Sequence, residues 1–293
     1  MSIFSSATRV LAGTMFAAAA LYPVQAAQDK AGLPVFSPSG DVGWIAFRGG
    51  FIPPTSGPGP VKDDPAHPLV VGEVPDPYVP DPVKYTGPVQ PTFPVADINN
   101  PILQPWAKEA LRKQNERTLS GKPAYGPSAS CRPAGVPNFL LYGVQPIYIV
   151  QGPKEVLMTW QNDHQVRHVY LDRQHEARPK PSWFGDSVGH YEGDTLVVDT
   201  IGLNDKTFVD NYRTPHTDRL HVVERFRLID GGKTLEVSLH VEDPGTFTTS
   251  WNALQRYRRV DPGPMIEVAC AENNANYFHQ EVEPIPEADK ADF

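Results

Sequence analysis

The sequence predicts a mainly β protein in which an antiparallel meander of strands closes into a barrel, with a β-sandwich as the alternative. From about residue 139 onward, apolar and polar residues alternate with the period of two that is typical of strands. Turns and loops separate these segments, and a single helical segment precedes them. We prefer the barrel because a closed meander leaves no strand edge exposed.

The first 26 residues have the pattern of a signal peptide. Arg9 supplies a positive charge, the apolar run Val10–Leu21 follows, and Val24-Gln25-Ala26 is a small-residue cleavage site. The run is too short to cross a bilayer, which takes about 20 residues. A buried N-terminal helix is the alternative. We therefore expect a periplasmic or secreted protein that does not insert into a membrane.

Residues 27–100 are predicted to form a proline-rich extended arm that lies over the folded domain. Three segments carry most of the prolines: SGPGP (Ser56–Pro60), PDPYVPDP (Pro75–Pro82) and TGPVQPTFP (Thr86–Pro94). Proline has no backbone N–H to donate, so these segments favour an extended polyproline conformation. The apolar patch Trp44–Phe47 could pack on the domain, and a flexible linker is the alternative.

One helix is predicted after the arm, at the start of a folded domain that we place at residues 101–274. Asn100-Pro101 opens the helix and Gly121 ends it, because proline fits the first turn and glycine is common just past the last. Trp106, Ala110 and Leu111 share an apolar stripe, which we expect to face the core.

Seven strands are predicted downstream, before a C-terminal tail at residues 275–293. They are Val144–Val150, Glu155–Gln161, Val166–Leu171, Thr195–Ile201, Leu220–Ile229, Thr234–Glu242 and Trp251–Val260. Gly152-Pro153 and Asp230-Gly231-Gly232 are predicted as hairpin turns. Thr234–Glu242 shows the strand pattern most clearly, with one apolar face and one polar face.

Charge and cysteine content narrow the range of partners and sites. Lys+Arg 26 against Asp+Glu 34 gives a formal charge of −8, whereas nucleic-acid binders need basic faces. We expect a small-molecule ligand or substrate and no nucleic acid. Cys131 and Cys270 are the only two cysteines, and an oxidising compartment favours a disulfide between them. Two buried free thiols are the alternative.

The richest polar cluster lies in PHTDRLHVVERF (Pro215–Phe226). On an extended strand Glu224 falls on an apolar face, and a buried carboxylate must be paired, protonated or bound to a metal. His216 and Asp218, at the mouth of that face, could complete a site for a divalent transition metal with Glu224. These three residues and His221 are the candidate catalytic residues, and outward-facing ion pairs without catalytic function are the alternative.

Other side chains are candidates for substrate contact. Arg167 and Arg225 could hold an anionic group, and Trp183 offers an aromatic wall. His168 and Tyr170 share one face of a predicted strand and are further candidates.

The favoured interpretation is an exported enzyme of the lyase, isomerase or hydrolase type that acts on a small, partly aromatic or apolar molecule. A bound metal would act as a Lewis acid or activate a water; without one, a histidine or Glu224 would transfer protons. The chain carries no H-E-x-x-H, P-loop or G-x-G-x-x-G motif. The segment GDSVG (185–189) has the spacing G-x-S-x-G, but no strand–turn–helix elbow is predicted around Ser187, so no standard reaction is indicated. The alternatives are a ligand-binding barrel without chemistry, which would have an apolar interior, and an envelope interaction protein that uses the proline-rich arm.

Several stretches together resemble a widespread family of exported, largely uncharacterised bacterial proteins. The most specific are EGDTLVVDT (192–200), PHTDRLHVVERF (215–226) and CAENN (270–274), and the resemblance runs from about residue 98 to 274. It implies a shared fold and export but no particular reaction. It also implies that both cysteines belong to the common core, which favours the disulfide. A looser likeness to calycin ligand-binding barrels depends on the strand meander alone.

Overall fold

Nine strands form a closed barrel in the computed structural model, which describes residues 32–68 except 39 and 48, 94–121, 131–141, 145–161, 165–263 and 265–268. The strands are β1 (Gly43–Ala46), β2 (Ile147–Gln151), β3 (Glu155–Trp160), β4 (Gln165–Leu171), β5 (Asp186–Glu192), β6 (Thr195–Ile201), β7 (His221–Ile229), β8 (Thr234–Glu242) and β9 (Trp251–Val260). Among these residues there is one α-helix, α1 (Pro105–Leu119), and no helix long and apolar enough to cross a membrane. The predicted barrel is confirmed.

The order of the strands around the barrel follows their order in the chain, and β1 pairs with β9 to close it. The structure differs from the predicted antiparallel meander at one place, because β4 and β5 are parallel, with Val169 opposite Ser187. Parallel neighbours need a crossover connection, and residues 172–185 provide it. The sequence did not predict β5 because Gly189 and several polar residues interrupt its alternation.

The predicted proline-rich arm supplies one strand of the barrel. Strand β1 pairs with β2 and with β9, so the barrel includes residues from well before position 101. Trp44 is almost fully buried, and its Nε1 donates a hydrogen bond to the carbonyl oxygen of Phe36 at 3.2 Å. Gly43 is required at the start of the strand, because a Cβ there would lie 2.7 Å from Pro146. So short a strand inside a stretch rich in proline and glycine leaves little periodic signal.

Helix α1 buries a face that agrees only in part with the predicted stripe. The buried residues are Ala107, Leu111, Asn115 and Thr118. Leu111 is therefore buried as predicted, but Trp106 is 45% exposed, because one residue turns a helix by about 100° and Ala107 takes the inward position. The helix begins at Pro105 rather than near residue 101, which agrees with the preference of proline for the first turn.

Side chains from alternate strand positions fill the interior of the barrel. Fully buried residues on the strands include Trp44, Met158, Leu196, Phe226, Trp251 and Tyr257. Two charged residues, Arg167 and Glu224, are also completely buried. The described interior is therefore packed mostly with apolar side chains, and the Arg167–Glu224 pair is enclosed among them.

Several predictions concern residues outside the described ranges. These are the signal peptide at 1–26, the proline-rich segments at 75–82 and 86–94 except Pro94, Cys270 and the tail at 275–293. Cys131 is described, has a left-handed backbone (φ 53°) and is not a free thiol. Its pairing with Cys270 stays a prediction.

Candidate functional site

An open cleft of about 1,090 Å³ lies at the end of the barrel where β6 ends and β7 begins. Its walls come from residues 180–183 before β5, from residues 204–206 and 215–218 between β6 and β7, and from Trp106 in the first turn of α1. Backbone hydrogen bonds join the first two walls, since Ser182 N–H donates to the Gly202 carbonyl at 3.1 Å and Asn204 N–H donates to the Ser182 carbonyl at 2.9 Å.

Two tryptophans and four charged side chains line this cleft. Trp183 is half-buried, and Trp106 keeps its ring at the rim by donating from Nε1 to the Gly245 carbonyl at 2.6 Å. The charged lining residues are Lys180, Asp205, Lys206 and Asp218, all exposed. The cleft therefore offers aromatic surface together with balanced positive and negative charge.

His216 lies at the buried side of the cleft, with both ring nitrogens hydrogen-bonded. Nδ1 is 2.9 Å from the carbonyl oxygen of Thr217, and Nε2 is 2.7 Å from Oγ1 of Thr207. A carbonyl oxygen can only accept, so the hydrogen-bond pattern assigns the proton to Nδ1, and Nε2 accepts from the Thr207 hydroxyl. Burial lowers the pKa of His216 below 6.5, so the imidazole is neutral at pH 7.

Packing fixes the Thr207 hydroxyl behind His216. Thr207 is buried, and Gly135 packs directly against it. A Cβ at Gly135 would lie 2.6 Å from Thr207 Oγ1, and its φ of +74° also favours glycine. Only glycine therefore fits this contact without displacing the hydroxyl that holds His216.

Asp243 braces the backbone that carries His216. Its carboxylate accepts hydrogen bonds from Thr217 N (2.6 Å) and Oγ1 (2.7 Å), from Gly245 N (2.9 Å) and from Thr246 Oγ1 (2.7 Å). Burial alone would raise the pKa of Asp243, but these hydrogen bonds outweigh it and lower the pKa. The ionised carboxylate thus ties the segment beside the cleft to the β8–β9 connection.

Arg167 and Glu224, predicted as site residues, are not in this cleft. Inside the barrel Arg167 Nη1 donates to Glu224 Oε1 at 2.9 Å and Nη2 binds Oε2, so the pair is bidentate. The guanidinium also donates to Ser187 Oγ (3.2 Å) and Thr200 Oγ1 (2.8 Å). With both side chains completely buried and paired, Arg167 is not free to hold an anionic substrate.

The predicted metal set of His216, Asp218 and Glu224 is not assembled. Glu224 is bound to Arg167 inside the barrel, and both nitrogens of His216 have other partners. Within the described ranges, no three His, Cys, Asp or Glu side chains are grouped so that they could hold a metal ion. Glu224 points into the barrel from β7, whereas His216 and Asp218 lie in the loop before that strand.

His221 belongs to a second polar cluster, on the outer face of the barrel, which we call the outer histidine network. Nε2 of His175 and Nε2 of His221 lie 3.1 Å and 2.8 Å from the same oxygen of Asp199. Nδ1 of His175 is 3.1 Å from Asp186 Oδ2, and Nδ1 of His221 is 3.5 Å from Glu242 Oε2. His221 therefore does not line the cleft.

The remaining predicted substrate contacts lie elsewhere on the outer surface. Arg225 is exposed and paired with Glu192. His168 is exposed, lies 3.1 Å from Glu155 Oε2, and stacks on Tyr170 with ring centroids 6.0 Å apart. Strand alternation explains these positions. The even-numbered residues of β4, including His168 and Tyr170, point away from the interior, and so do the odd-numbered residues of β7, including Arg225.

Of the predicted site residues, three line the cleft, namely Trp183, His216 and Asp218. Trp106, Lys180 and Lys206 also line the cleft, although no sequence pattern predicted them there. Loop residues show no periodic pattern in the sequence, and Trp106 was predicted to face the core of the protein. An aromatic residue beside Pro105 in the first helical turn is the one signal that could have indicated an exposed ring.

Comparisons with protein families, curated proteins and solved structures find no significant match to this chain. The family resemblance of the sequence therefore stays a prediction.

Proposed function

We propose that the protein is an exported enzyme that acts on a small, partly aromatic molecule bound in the cleft, with His216 as the acid–base group. The observation that carries the proposal is a neutral imidazole of fixed tautomer in a cleft between two accessible tryptophans. Acid–base chemistry at such a group is common to lyases, isomerases and hydrolases. Because the described ligand-type side chains are not grouped, the proposal includes no metal.

His216 is suited to begin a reaction as a base. The Thr217 carbonyl accepts from Nδ1 and would stabilise the imidazolium. The lone pair lies on Nε2, where the buried Thr207 hydroxyl now occupies it. The imidazole must turn toward the cleft, or the hydroxyl must leave Nε2, before that nitrogen can take a proton from the substrate.

The lining supports a substrate with an aromatic ring and polar substituents. Trp106 and Trp183 offer surfaces for stacking or edge contacts. Lys180 and Lys206 can pair with acidic groups, while Asp205 and Asp218 can accept from hydroxyls or amines.

A binding protein without chemistry is the second candidate. One observation favours it, because both nitrogens of His216 are already hydrogen-bonded within the protein. In that case His216 would hold the cleft in shape, and the ligand would contact the tryptophans and the charged rim.

Binding and turnover of a panel of aromatic acids, phenols and aromatic esters separate the two candidates. Binding is measured by thermal shift and calorimetry, and turnover by mass spectrometry of the reaction mixture. For a hit, Trp183→Ala should weaken binding about tenfold through loss of aromatic contact. His216→Gln should lower turnover by about 10²-fold or more while the dissociation constant changes less than about threefold.

Tyr170→Ala is the matched control, since it removes an exposed aromatic ring outside the cleft. It should leave binding and turnover unchanged. Binding that is lost in Trp183→Ala, with no turnover of any hit by the native protein, would favour the binding protein. Hits whose affinity is unchanged in Trp183→Ala would refute both assignments of the cleft.

A further inference from the structure

The connection between β8 and β9 joins two parts of the chain that supply residues to the cleft. Its residues Asp243–Thr246 form a tight turn, in which the N–H of Thr246 donates to the Asp243 carbonyl at 3.0 Å. Two further backbone hydrogen bonds tie this turn to the segment before α1. Gln104 N–H donates to the Thr246 carbonyl at 2.8 Å, and Thr248 N–H donates to the Ile102 carbonyl at 2.7 Å. The four residues of the turn do not line the cleft themselves, so they act on a ligand only through the residues that they hold.

Gly245, in the middle of this turn, contacts both parts of the chain. Its carbonyl oxygen accepts a hydrogen bond from Nε1 of Trp106 at 2.6 Å. On its other side, a Cβ on Gly245 would lie 2.5 Å from Cγ2 and 2.9 Å from Oγ1 of Thr217, which is closer than non-bonded atoms pack. The φ of Gly245 lies outside the left-handed region, so the lack of space rather than the backbone conformation requires glycine here. The turn can therefore lie against Thr217 because this residue has no side chain.

Thr217 cannot move aside without disturbing His216. Its N–H and its hydroxyl both donate to the Asp243 carboxylate, at 2.6 Å and 2.7 Å. Its carbonyl oxygen lies 2.9 Å from Nδ1 of His216 and accepts the hydrogen bond that fixes the tautomer of the imidazole. The other atom near a Cβ on Gly245 is Nη2 of Arg219 at 2.9 Å, the end of an exposed, flexible side chain that can move away. A side chain on Gly245 would therefore displace Thr217 and, with it, the acceptor for Nδ1.

We propose that Gly245 is a positioning residue of the cleft, which sets the ring of Trp106 and the imidazole of His216 relative to each other. The proposal rests on the proposed function, because that function assigns the aromatic contact and the acid–base group to these two side chains. A substrate ring that lies against Trp106 meets the imidazole in one geometry only while the turn keeps both in place. Proton transfer needs its two heavy atoms about 2.6–3.2 Å apart, and a displacement of about 1 Å can lower a rate about 10²-fold. A change at Gly245 should therefore affect the chemical step more than binding.

Gly245→Ala in the full-length protein, compared with Gly50→Ala, tests the positioning without any substrate. Gly50→Ala is the matched control, because a Cβ on Gly50 meets no atom within 4 Å and the φ of Gly50 is also outside the left-handed region. The readouts are the NMR resonances of the Trp106 indole N–H and of the His216 ring nitrogens, assigned with Trp106→Phe and His216→Gln. Both should shift in Gly245→Ala and keep their native positions in Gly50→Ala. If Gly245→Ala folds and either resonance stays at its native position, the proposal is overturned.

Thr217→Ser provides a second test, because it removes the Cγ2 that a new side chain would meet and keeps the hydroxyl that binds Asp243. Adding Thr217→Ser to Gly245→Ala should return both resonances part of the way to their native positions. If Gly245→Ala does not fold, this double variant is compared with Thr217→Ser alone. Identical resonances in those two proteins would refute the positioning.

Turnover then connects the positioning to the proposed function. For any compound that the native protein turns over, Gly245→Ala should lower kcat about 10²-fold and change KM less than about threefold. Native turnover in a variant whose resonances have shifted would contradict the proposal, because the position of His216 would then not matter to the reaction. If the native protein turns over no compound, the proposed function fails, whereas the resonances still decide whether Gly245 positions the two side chains.

Discussion

The barrel interior and the outer histidine network both join charged residues from several strands, but their physical situations are opposite. Inside, Arg167 and Glu224 are completely buried and their partners Ser187 and Thr200 complete the hydrogen bonds. Outside, the carboxylate of Asp199 is 39% exposed and is shared by His175 and His221. The interior pair is completely enclosed, whereas the outer network is open to solvent and its hydrogen bonds raise the pKa of His221.

Strand β7 contributes to both regions with residues only three positions apart. Glu224 points inward between Val222 and Phe226, while His221 and Arg225 point outward. One sequence cluster is thus divided between a structural pair and a titratable surface. A cluster of ionisable residues in a strand therefore does not identify a site until each residue has been assigned to one of the two faces of the strand.

The largest expected effect comes from breaking the interior pair. Glu224→Gln keeps the shape but leaves the Arg167 guanidinium buried without a counter-charge, which should lower the free energy of unfolding by about 3–5 kcal/mol. Urea denaturation at pH 7 measures the change.

Two variants sharpen this result. Arg225→Gln removes an exposed charge from the same strand and should cost less than about 1 kcal/mol. Replacing both partners, with Arg167→Met and Glu224→Leu, should recover much of the loss because no unpaired charge remains. A loss below about 1 kcal/mol in Glu224→Gln would contradict the enclosed pair.

The local pattern of β7 could be predicted from sequence, but its long-range partner could not. Alternation alone placed Glu224 on an apolar face, and it indicated that the buried carboxylate needed a partner. Arg167 lies on β4, and β5 and β6 separate the two strands in the barrel. Which inward residues meet depends on the register of every intervening strand, and no local pattern in the sequence records that register.

The cleft was even less predictable, because loops and one helix end build it. His216, Asp218 and Trp183 were recognised as candidates by their chemistry, but their grouping depends on how residues 172–185 cross between parallel strands. Trp106 was missed because a shift of one residue moves a helical side chain from the core to the surface.

An intermediate effect is expected at Asp243, which is buried like the interior pair but holds the loop beside the cleft. Asp243→Asn removes the charge that accepts from Thr217 and Thr246, and should cost about 1.5–3 kcal/mol. Because its pKa is lowered in the folded state, its contribution is complete above the ordinary value of 3.8 and is lost as the pH falls through the lowered pKa.

Urea denaturation at pH 7 and pH 3 checks this prediction. The difference between native protein and Asp243→Asn should be larger at pH 7 than at pH 3. Asp218→Asn, an exposed carboxylate in the same loop, should change the free energy of unfolding by less than about 0.5 kcal/mol. An equal loss in both variants would mean that the hydrogen bonds to Asp243 do not brace the loop.

The smallest effect is expected in the outer network. The pKa of His221 is raised in the folded state, chiefly by its hydrogen bond to Asp199, so its contribution is complete below pH 6.5 and is lost as the pH rises through the raised pKa. His221→Gln should therefore lower the free energy of unfolding near pH 5.5 and match the native protein near pH 9. A side chain that is one-third exposed limits the difference to less than about 1 kcal/mol.

The dependence on salt concentration distinguishes the outer network from the interior pair most clearly. Charges at the surface are screened over about 10 Å at 0.1 M ionic strength and about 3 Å at 1 M, whereas an enclosed pair is screened far less. The effect of His221→Gln at pH 5.5 should accordingly shrink between 20 mM and 1 M sodium chloride, while the effect of Glu224→Gln should not. His168→Gln, which removes an exposed histidine with one carboxylate contact, should lower the free energy of unfolding less than His221→Gln at pH 5.5. If the two histidine variants behaved alike, the paired carboxylates around His221 would add nothing beyond an ordinary surface contact.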